Sequence, residues 1–375
     1  MSGDETDRYY GTEPTLPLPP NTSVYGRGGR PARPAKAGGG PGGPPRARRF
    51  ALILLVLVLL FVGVGLGTWF WASSKITKVG PLADYAGRPA QGVGTNWLVV
   101  GSDSRSNVTA QQKVQYHLGS DQGQRTDTIM LLHYGAGGPD LVSIPRDSYV
   151  TIPGYTDSAG RTHGASKNKV NAAYDFGGAP LLVQTVELAT GVRIDHYLEI
   201  GFLGVVDVVD SVGGVHLCLG VPVKDGYSGA DLPAGCQTLD GQQSLALIRS
   251  RYSLANSDIS RMANQQKFVA GLVHSVLRPG VLLNPFTLYP FLSSSLASTA
   301  VDDGTGLSSL VELGRHASPL ADGKATAGTV PIANENHPVS GVGSTVQWDS
   351  AKARQVFAAI GQDTAIPAGL LNSLR

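Results

Sequence analysis

Cysteine is scarce in this chain. There are two in 375 residues, Cys218 and Cys236. No further Cys or His stands at ligand spacing beside them, which excludes a structural zinc site of the Cys/His kind. Net charge is nearly absent too. Lys and Arg number 30 against 28 Asp and Glu, a formal +2, so overall charge says little about partners. There are no internal repeats. His196, beside Asp195, stands without any Ser or Cys motif, so it reads as structural rather than catalytic. Charge is wholly missing from the apolar stretch at residues 50–71.

That stretch is an unbroken apolar run of about 22 residues, long enough to cross a hydrocarbon core of roughly 30 Å. The alternatives are a buried core helix and a cleaved signal peptide. The run is long for the first. For the second, bulky Trp69, Phe70 and Trp71 stand where a small-x-small cleavage site belongs. Residues 50–72 are therefore expected to be an uncleaved transmembrane helix. Arg46, Arg48 and Arg49 precede it and only Lys75 and Lys78 follow, which places the N-terminus in the cytoplasm. The expectation is a single-pass plasma-membrane protein with everything after residue 72 outside the cytoplasm. Residues 1–49, rich in Gly, Pro and Arg, hold no core and read as a disordered cytoplasmic tail. Residues 73–94 read as a connector and residues 95–375 as one folded domain. In an oxidising compartment the Cys218/Cys236 pair suggests a disulfide closing a loop of about 18 residues, worth roughly 3 kcal/mol. Two separate buried thiols are the alternative.

Residues 96–101 read as a buried strand ending in Gly101-Ser102-Asp103-Ser104-Arg105. Arg125-Thr126-Asp127-Thr128 leads into a second, residues 129–134. Residues 141–144 form a third, stopped by Pro145 and followed by Arg146 and Asp147. Short connections favour antiparallel neighbours. In such a meander Asp103, Asp127 and Arg146 fall at one sheet edge. Like charges in close approach need a cation or proton between them. Two Asp without Cys or His suit Mg²⁺ or Mn²⁺. Asp residues that merely cap turns are the alternative.

Residues 169–174 open a short helix with Lys169 near its start, either reaching a phosphate or standing as a solvated lysine. Residues 180–189 are helical and stopped by Gly191, 194–200 alternate like a strand, 202–209 are helical, and Gly213-Gly214 turns into a strand at 215–219. This alternation indicates an α/β domain. Asp240 with Gln243 resembles a capping box and starts a helix that delivers Arg249 and, two residues on, Arg251. Asp258, Arg261 and Gln265, spaced i, i+3, i+7, share one face of the next helix, with Met262, Val269, Leu272, Val273 and Val276 on the other. Planar guanidinium forks suit bidentate binding of phosphate. An arginine-rich surface held by ion pairs is the alternative. Apolar residues 282–296 read as a helix, 325–332 as a strand and 350–360 as a closing helix.

The ordered set Gly101–Arg105, Arg125–Thr128, Ser143–Asp147, Lys169–Tyr174, Gly213–Val215 and Arg249–Gln266, behind one N-terminal anchor, resembles the LytR-CpsA-Psr family of cell-wall glycopolymer ligases. The tail and the Cys pair are similar to actinobacterial members. The resemblance covers most of residues 95–335. It implies an α/β/α layered domain with a central mixed sheet, preceded here by the tail and one transmembrane helix. It also implies a metal-dependent phosphotransferase. The carboxylates for Mg²⁺ are then Asp103 and Asp127, which with Arg146 are the catalytic set. Arg125, Arg146, Arg249, Arg251, Arg261, Gln265 and Asp258 bind the donor pyrophosphate, joined by Lys169. The family often carries Arg where this chain has Asn264.

The expected activity moves a glycopolymer from a polyprenyl-pyrophosphate carrier to a peptidoglycan hydroxyl. The partners are then lipid-linked donor, peptidoglycan and membrane, with no nucleic acid expected. Two alternatives use the same residues. One is a pyrophosphatase acting on the lipid carrier. The other is a non-enzymatic envelope regulator or transcription attenuator.

Overall fold

The computed structural model describes residues 46–102, 109–116, 126–250 and 257–372. It divides into two units, residues 1–60 and residues 61–375. The described part of the first is helical and belongs to a 28-residue helix, Arg46–Ser73. This helix is long and apolar enough to cross a membrane, and its apolar window is unburied. The tail expected to be disordered lies outside the described residues up to residue 45; Arg46–Arg49 open the helix.

The second unit is built on a seven-stranded mixed sheet. Its spatial order is Thr77–Val79, Thr299–Asp302, His196–Gly201, Thr95–Ser102, Thr126–Tyr134, Asp140–Ser143, Thr326–Thr329. The expected antiparallel meander is there: Thr126–Tyr134 pairs antiparallel with strands on both sides. His196–Gly201 lies parallel to Thr95–Ser102 on its other edge.

Period-two alternation explains the layers. Leu98, Val100, Ile129, Leu131 and Val142 point to one face. There they meet Val170, Leu182, Val183 and Val186 of the helix Val170–Thr190, and Val356, Phe357 and Ile360 of the helix Ser350–Gly361. Trp97, Met130, Leu132 and Leu141 point to the other. They pack with Ala317 and Leu320 of the helix Leu307–Ala321 and with Val269 and Val273 of the helix Ser257–Val276. Both faces are covered, so the central strands read as continuous apolar runs. Each fully buried large side chain contributes about 1.5–3 kcal/mol. Trp97, Leu98, Met130 and Leu131 all belong to that group. The architecture is the expected α/β/α sandwich.

Local punctuation is also as expected. Asp240 accepts from the Gln243 amide while Gln243 Oε1 accepts from the Asp240 amide, a complete capping box for the helix Gly241–Arg249. Gly241 is required there, because a Cβ would stand 2.6 Å from the Val206 carbonyl oxygen. Gly191 ends the helix Val170–Thr190 in the left-handed region at φ 73°. The two helices expected between residues 169 and 189 are stacked as one across a kink at Gly177 and Gly178.

Several expectations need amending. The connector supplies an edge strand: Thr77–Val79 pairs parallel with Thr299–Asp302. Between Asp147 and the helix at Val170, where no strand was expected, stand two small antiparallel ladders, Tyr149–Ile152 with Ser166–Lys169 and Tyr155–Thr156 with Thr162–His163. Residues 325–332 contain one short strand, Thr326–Thr329, and the start of a hairpin, Ile332–Val339 with Gly343–Trp348.

Cys218 and Cys236 are disulfide-bonded and face each other across the antiparallel strands Val215–Leu219 and Gly235–Leu239. These strands form a separate two-stranded sheet, so the bridge staples that sheet at the base of the excursion holding Val223–Asp225 and Ala230–Leu232. We expect the double variant Cys218→Ser/Cys236→Ser to lose about 2–4 kcal/mol. A thermal melt against wild type under non-reducing conditions reads this. Two alkylatable thiols in the wild-type protein would contradict the bridge.

Asp302 secures the sheet edge. Its Oδ1 accepts from the Tyr197 amide at 2.9 Å and from the Thr305 hydroxyl, with His196 Nδ1 at 3.5 Å. Burial pushes this carboxyl up, but the bonds from His196, Thr305 and the Tyr197 amide outweigh it and hold the pKa at about 2. A depressed folded value stabilises above the unfolded pKa and loses that stabilisation as pH falls. Wild type should therefore lose on the order of 2 kcal/mol more than Asp302→Asn between about pH 5 and pH 2. Urea unfolding of both proteins across that range is the measurement.

Candidate functional site

The strand Thr126–Tyr134 starts at the edge where Thr95–Ser102 ends, with Ser102 opposite Thr126 and a register shift between Gly101 and Ser102. Such irregularities re-aim side chains at strand ends. Asp127 stands there. Across the next turn, Pro145 stops the strand Asp140–Ser143 and Arg146 follows. Its Nη1 donates to Asp127 Oδ1 at 2.6 Å, and its Nε lies 3.5 Å from Asp147 Oδ2. Lys169 Nζ reaches Asp147 Oδ1 at 3.0 Å. Four charges thus alternate along one chain: Asp127, Arg146, Asp147, Lys169. All are largely shielded, with side-chain exposures of 16–26%.

Backbone bonds fix this chain. The first amides of a helix lack internal partners. In the helix Val170–Thr190 the Val170 amide donates to the Ser148 carbonyl, and the Asn171 amide to the Arg146 carbonyl at 3.1 Å. The loop that carries Arg146 therefore caps the helix that follows Lys169.

Arg249 closes the helix Gly241–Arg249, where a cation complements the C-terminal dipole. Its Nη1 donates to the Tyr116 carbonyl at 2.7 Å, and its guanidinium lies 5.3 Å above the Phe202 ring. Phe202 directly follows Gly201, the register partner of Ser102. Arg249 is thereby brought to the sheet edge that holds Asp127 and Arg146. Burial, then Asp207, Asp210 and Asp240, push the Tyr116 phenol upward.

Beside them Glu199 is gripped by two phenols. Tyr174 and Tyr197 donate to its two oxygens at 2.6 and 2.7 Å. Burial first, and the Glu199 carboxylate second, push both phenols well above their ordinary range. They act here as fixed donors.

The remaining candidates divide. Gln265 is buried and donates to the Ile248 carbonyl at 3.2 Å, next to Arg249. Asn264 reaches the Ser250 hydroxyl at 3.5 Å, and Ser250 caps the arginine helix. Gln266 ties the helix Ser257–Val276 to the Ser143 hydroxyl and the Gly328 carbonyl at 2.9 and 3.0 Å. Asp258 and Arg261 lie on the helix Ser257–Val276, but their side chains are outside the described residues. Asp103, Arg125 and Arg251 are outside them too. Of the expected set, Asp127, Arg146, Lys169 and Arg249 gather around one sheet edge, and Gln265 supports the backbone next to Arg249. Sequence reasoning missed the bridging part of Asp147, Phe202 beneath Arg249, and the Tyr174–Glu199–Tyr197 clamp. Asp147 and Tyr174 sat inside quoted motifs, while nothing in local spacing marked Phe202 or Glu199.

A helix long and apolar enough to cross a membrane, an α/β/α sandwich and a strand edge of alternating charges define a class of α/β/α domain preceded by an apolar helix. Within it, the chain belongs to the LytR_cpsA_psr family, whose model matches residues 78–359. It is 41% identical over 292 residues to the probable cell wall biosynthesis protein LcpB of Corynebacterium glutamicum, over 77% of this chain and 66% of that protein. It is 38% identical over 138 residues to the polyisoprenyl-teichoic acid–peptidoglycan teichoic acid transferase TagU of Enterococcus faecalis, over 36% of this chain and 42% of that protein. Both matches thus span less than two thirds of the relative. The fold is similar to that of the LytR-Csp2A-Psr enzyme from Actinomyces oris, with TM-score 0.57 and 23% identity over 76% of this chain and 96% of that one.

Asp127→Asn keeps the shape of the side chain and removes the charge that Arg146 meets. A hydrogen bond to a charged group is worth about 1.5–3 kcal/mol. We expect the variant to fold and to lose about that much stability, read by urea unfolding. An unchanged midpoint would mean the pair is not formed in solution.

Proposed function

We propose that this chain is a membrane-anchored phosphotransferase that ligates a glycopolymer to peptidoglycan. The observation that carries the reading is the Asp127–Arg146–Asp147–Lys169 chain beside Arg249 in a domain of this family. The names of LcpB and TagU support the cell-wall setting and the transferase class. The donor is a glycan on polyprenyl pyrophosphate. A peptidoglycan hydroxyl attacks the phosphorus next to the sugar. A new phosphorus–oxygen bond forms, the bridging bond to the second phosphorus breaks, and polyprenyl phosphate leaves. The hydroxyl proton is released. Arg146 and Arg249 present guanidinium forks to the pyrophosphate, with Lys169 as a nearby point charge and Arg125, Arg251 and Arg261 completing the set. Such preorganised charge works through positioning and neutralisation.

The donor set suits a hard cation. Asp127, with Asp103, would hold Mg²⁺ or Mn²⁺ through carboxylate oxygens, and Arg146 orients the described carboxylate. Bound there, the cation supplies charge neutralisation on phosphate oxygens. The arginine excess before the apolar helix supports a cytoplasmic N-terminus and a site outside the cytoplasm.

The full chain, reconstituted with lipid-linked donor and peptidoglycan, tests this. Arg146→Ala and Arg249→Ala should each lower transfer by about 10²–10³-fold while the fold survives. Chelation should abolish transfer, with Mg²⁺ restoring it. Free phosphorylated glycan as the sole product, with peptidoglycan present, would make the protein a pyrophosphatase instead. Full transfer by a folded double variant would remove these arginines from the mechanism.

A further inference from the structure

Between Arg278 and Asp302 the chain runs for 23 residues without a charged side chain. In a water-soluble fold such a stretch belongs in the core. Here much of it is outside. Leu283 is 81% exposed and Phe286 89%, with Leu282 also exposed. In the helix Pro285–Ser298 the one buried residue is Leu296.

The exposed apolar residues sit on a built corner. The short helix Pro279–Leu282 is plugged into the domain by buried Val281. Arg278, at its N-cap, is bonded to the Ser275 and Val212 carbonyls at 3.1 and 3.2 Å. Asn284 then caps the helix Pro285–Ser298 by accepting from the Phe286 amide at 3.0 Å, with Pro285 at its first turn. A capped and proline-started corner holds Leu283 and Phe286 out in a fixed direction.

Tyr289, one turn beyond Phe286 on the same helix, shows which way that is. Its hydroxyl is hydrogen-bonded to Thr68, and its ring lies 5.6 Å from that of Trp71. Thr68 and Trp71 belong to the last turns of the apolar helix Arg46–Ser73, where Trp69, Phe70 and Trp71 stand at the end of the uncharged run. Aromatic residues in that position mark the level of the membrane interface. The corner is therefore continuous with the point where the anchor leaves the bilayer.

We propose that the corner Leu282–Leu283–Phe286 is a second membrane contact, inserted in the outer interfacial layer of the bilayer that the anchor crosses. Its occupant is lipid acyl chain and headgroup boundary. An uncharged apolar face with an aromatic side chain is the composition that such a layer accepts, whereas an exposed patch of this kind in water invites association. Two contacts, anchor and corner, fix the tilt of the domain over the membrane where one would leave it free to swivel. The inference rests on the reading of Arg46–Ser73 as membrane-crossing.

The test uses the full chain in vesicles of phosphatidylethanolamine and phosphatidylglycerol. An environment-sensitive fluorophore is placed, without reduction of the disulfide, at Leu283→Cys. Leu188→Cys, exposed on the helix Val170–Thr190, is the reference, and Gly63→Cys, where an added Cβ meets nothing, reports the anchor. Spin-labelled lipid with the label near the headgroup should quench the Leu283 probe several-fold more than the Leu188 probe, and aqueous iodide should quench it several-fold less. Adding Phe286→Asp should shift the Leu283 probe toward iodide. Equal iodide quenching at Leu283 and Leu188, with the Gly63 probe quenched by lipid, overturns the corner and leaves the anchor. A Leu283 probe shielded from both quenchers overturns it too, in favour of a protein neighbour such as a second copy. A Gly63 probe untouched by lipid quencher removes the anchor and the corner together.

Discussion

The structure depends on a sheet buried on both faces. Leu98 and Val100 fill one core while Trp97 fills the other, and Met130 and Leu131 repeat the pattern one strand over. A strand with no solvent face has little place for a charge along its length. Charged side chains are pushed to its ends. Asp127 and Arg146 stand at adjacent ends because the strands that carry them are antiparallel neighbours joined by short turns. The site thus follows from the core: the same burial that makes the strands apolar collects the polar chemistry at one rim.

Around that rim, helix ends do the positioning. The Arg146 carbonyl takes a first-turn amide of one helix, and Arg249 closes another. Gln265, expected beside a ligand, and Asn264, where the family often carries Arg, support the backbone that carries Arg249: one holds the Ile248 carbonyl and the other reaches Ser250. A glutamine that is 5% exposed does more by satisfying a buried carbonyl than by reaching outward. The Asn264 departure from the family pattern is then a change in the support of the arginine helix as well as in charge.

Legibility followed the range of the interactions. The three meander strands, the capping box at Asp240, the Gly191 stop and the apolar face of the helix after Ser257 were all readable, because each rests on residues a few positions apart. The meander also made Asp127 and Arg146 meet without any long-range information. What stayed hidden needed distant partners. Thr77–Val79 becomes a strand only because Thr299–Asp302 lies beside it, more than 200 residues on. Phe202 lies under Arg249 because two helices pack, and Glu199 is clamped by tyrosines from a strand and a helix. The disulfide pairing was readable, but its mechanical role was not. Its strands pair with each other and form no part of the central sheet.

The alternation of charge along the rim has its own logic. Two unit charges 4 Å apart interact by about 4 kcal/mol at an effective dielectric of 20. A bare row of arginines at that spacing would repel and drift apart without ligand. Asp127 and Asp147 lie on either side of Arg146, and Lys169 answers Asp147 from beyond. Each charge is held by an opposite neighbour, so the guanidinium is fixed in place before an anion arrives. A polyanionic ligand competing for Arg146 would meet a donor already oriented, which lowers the ordering cost of binding. The same arrangement limits affinity, since the ligand must displace or share an existing charge-assisted bond. For the reaction proposed above, that compromise suits turnover, because binding the donor too tightly would hold the product.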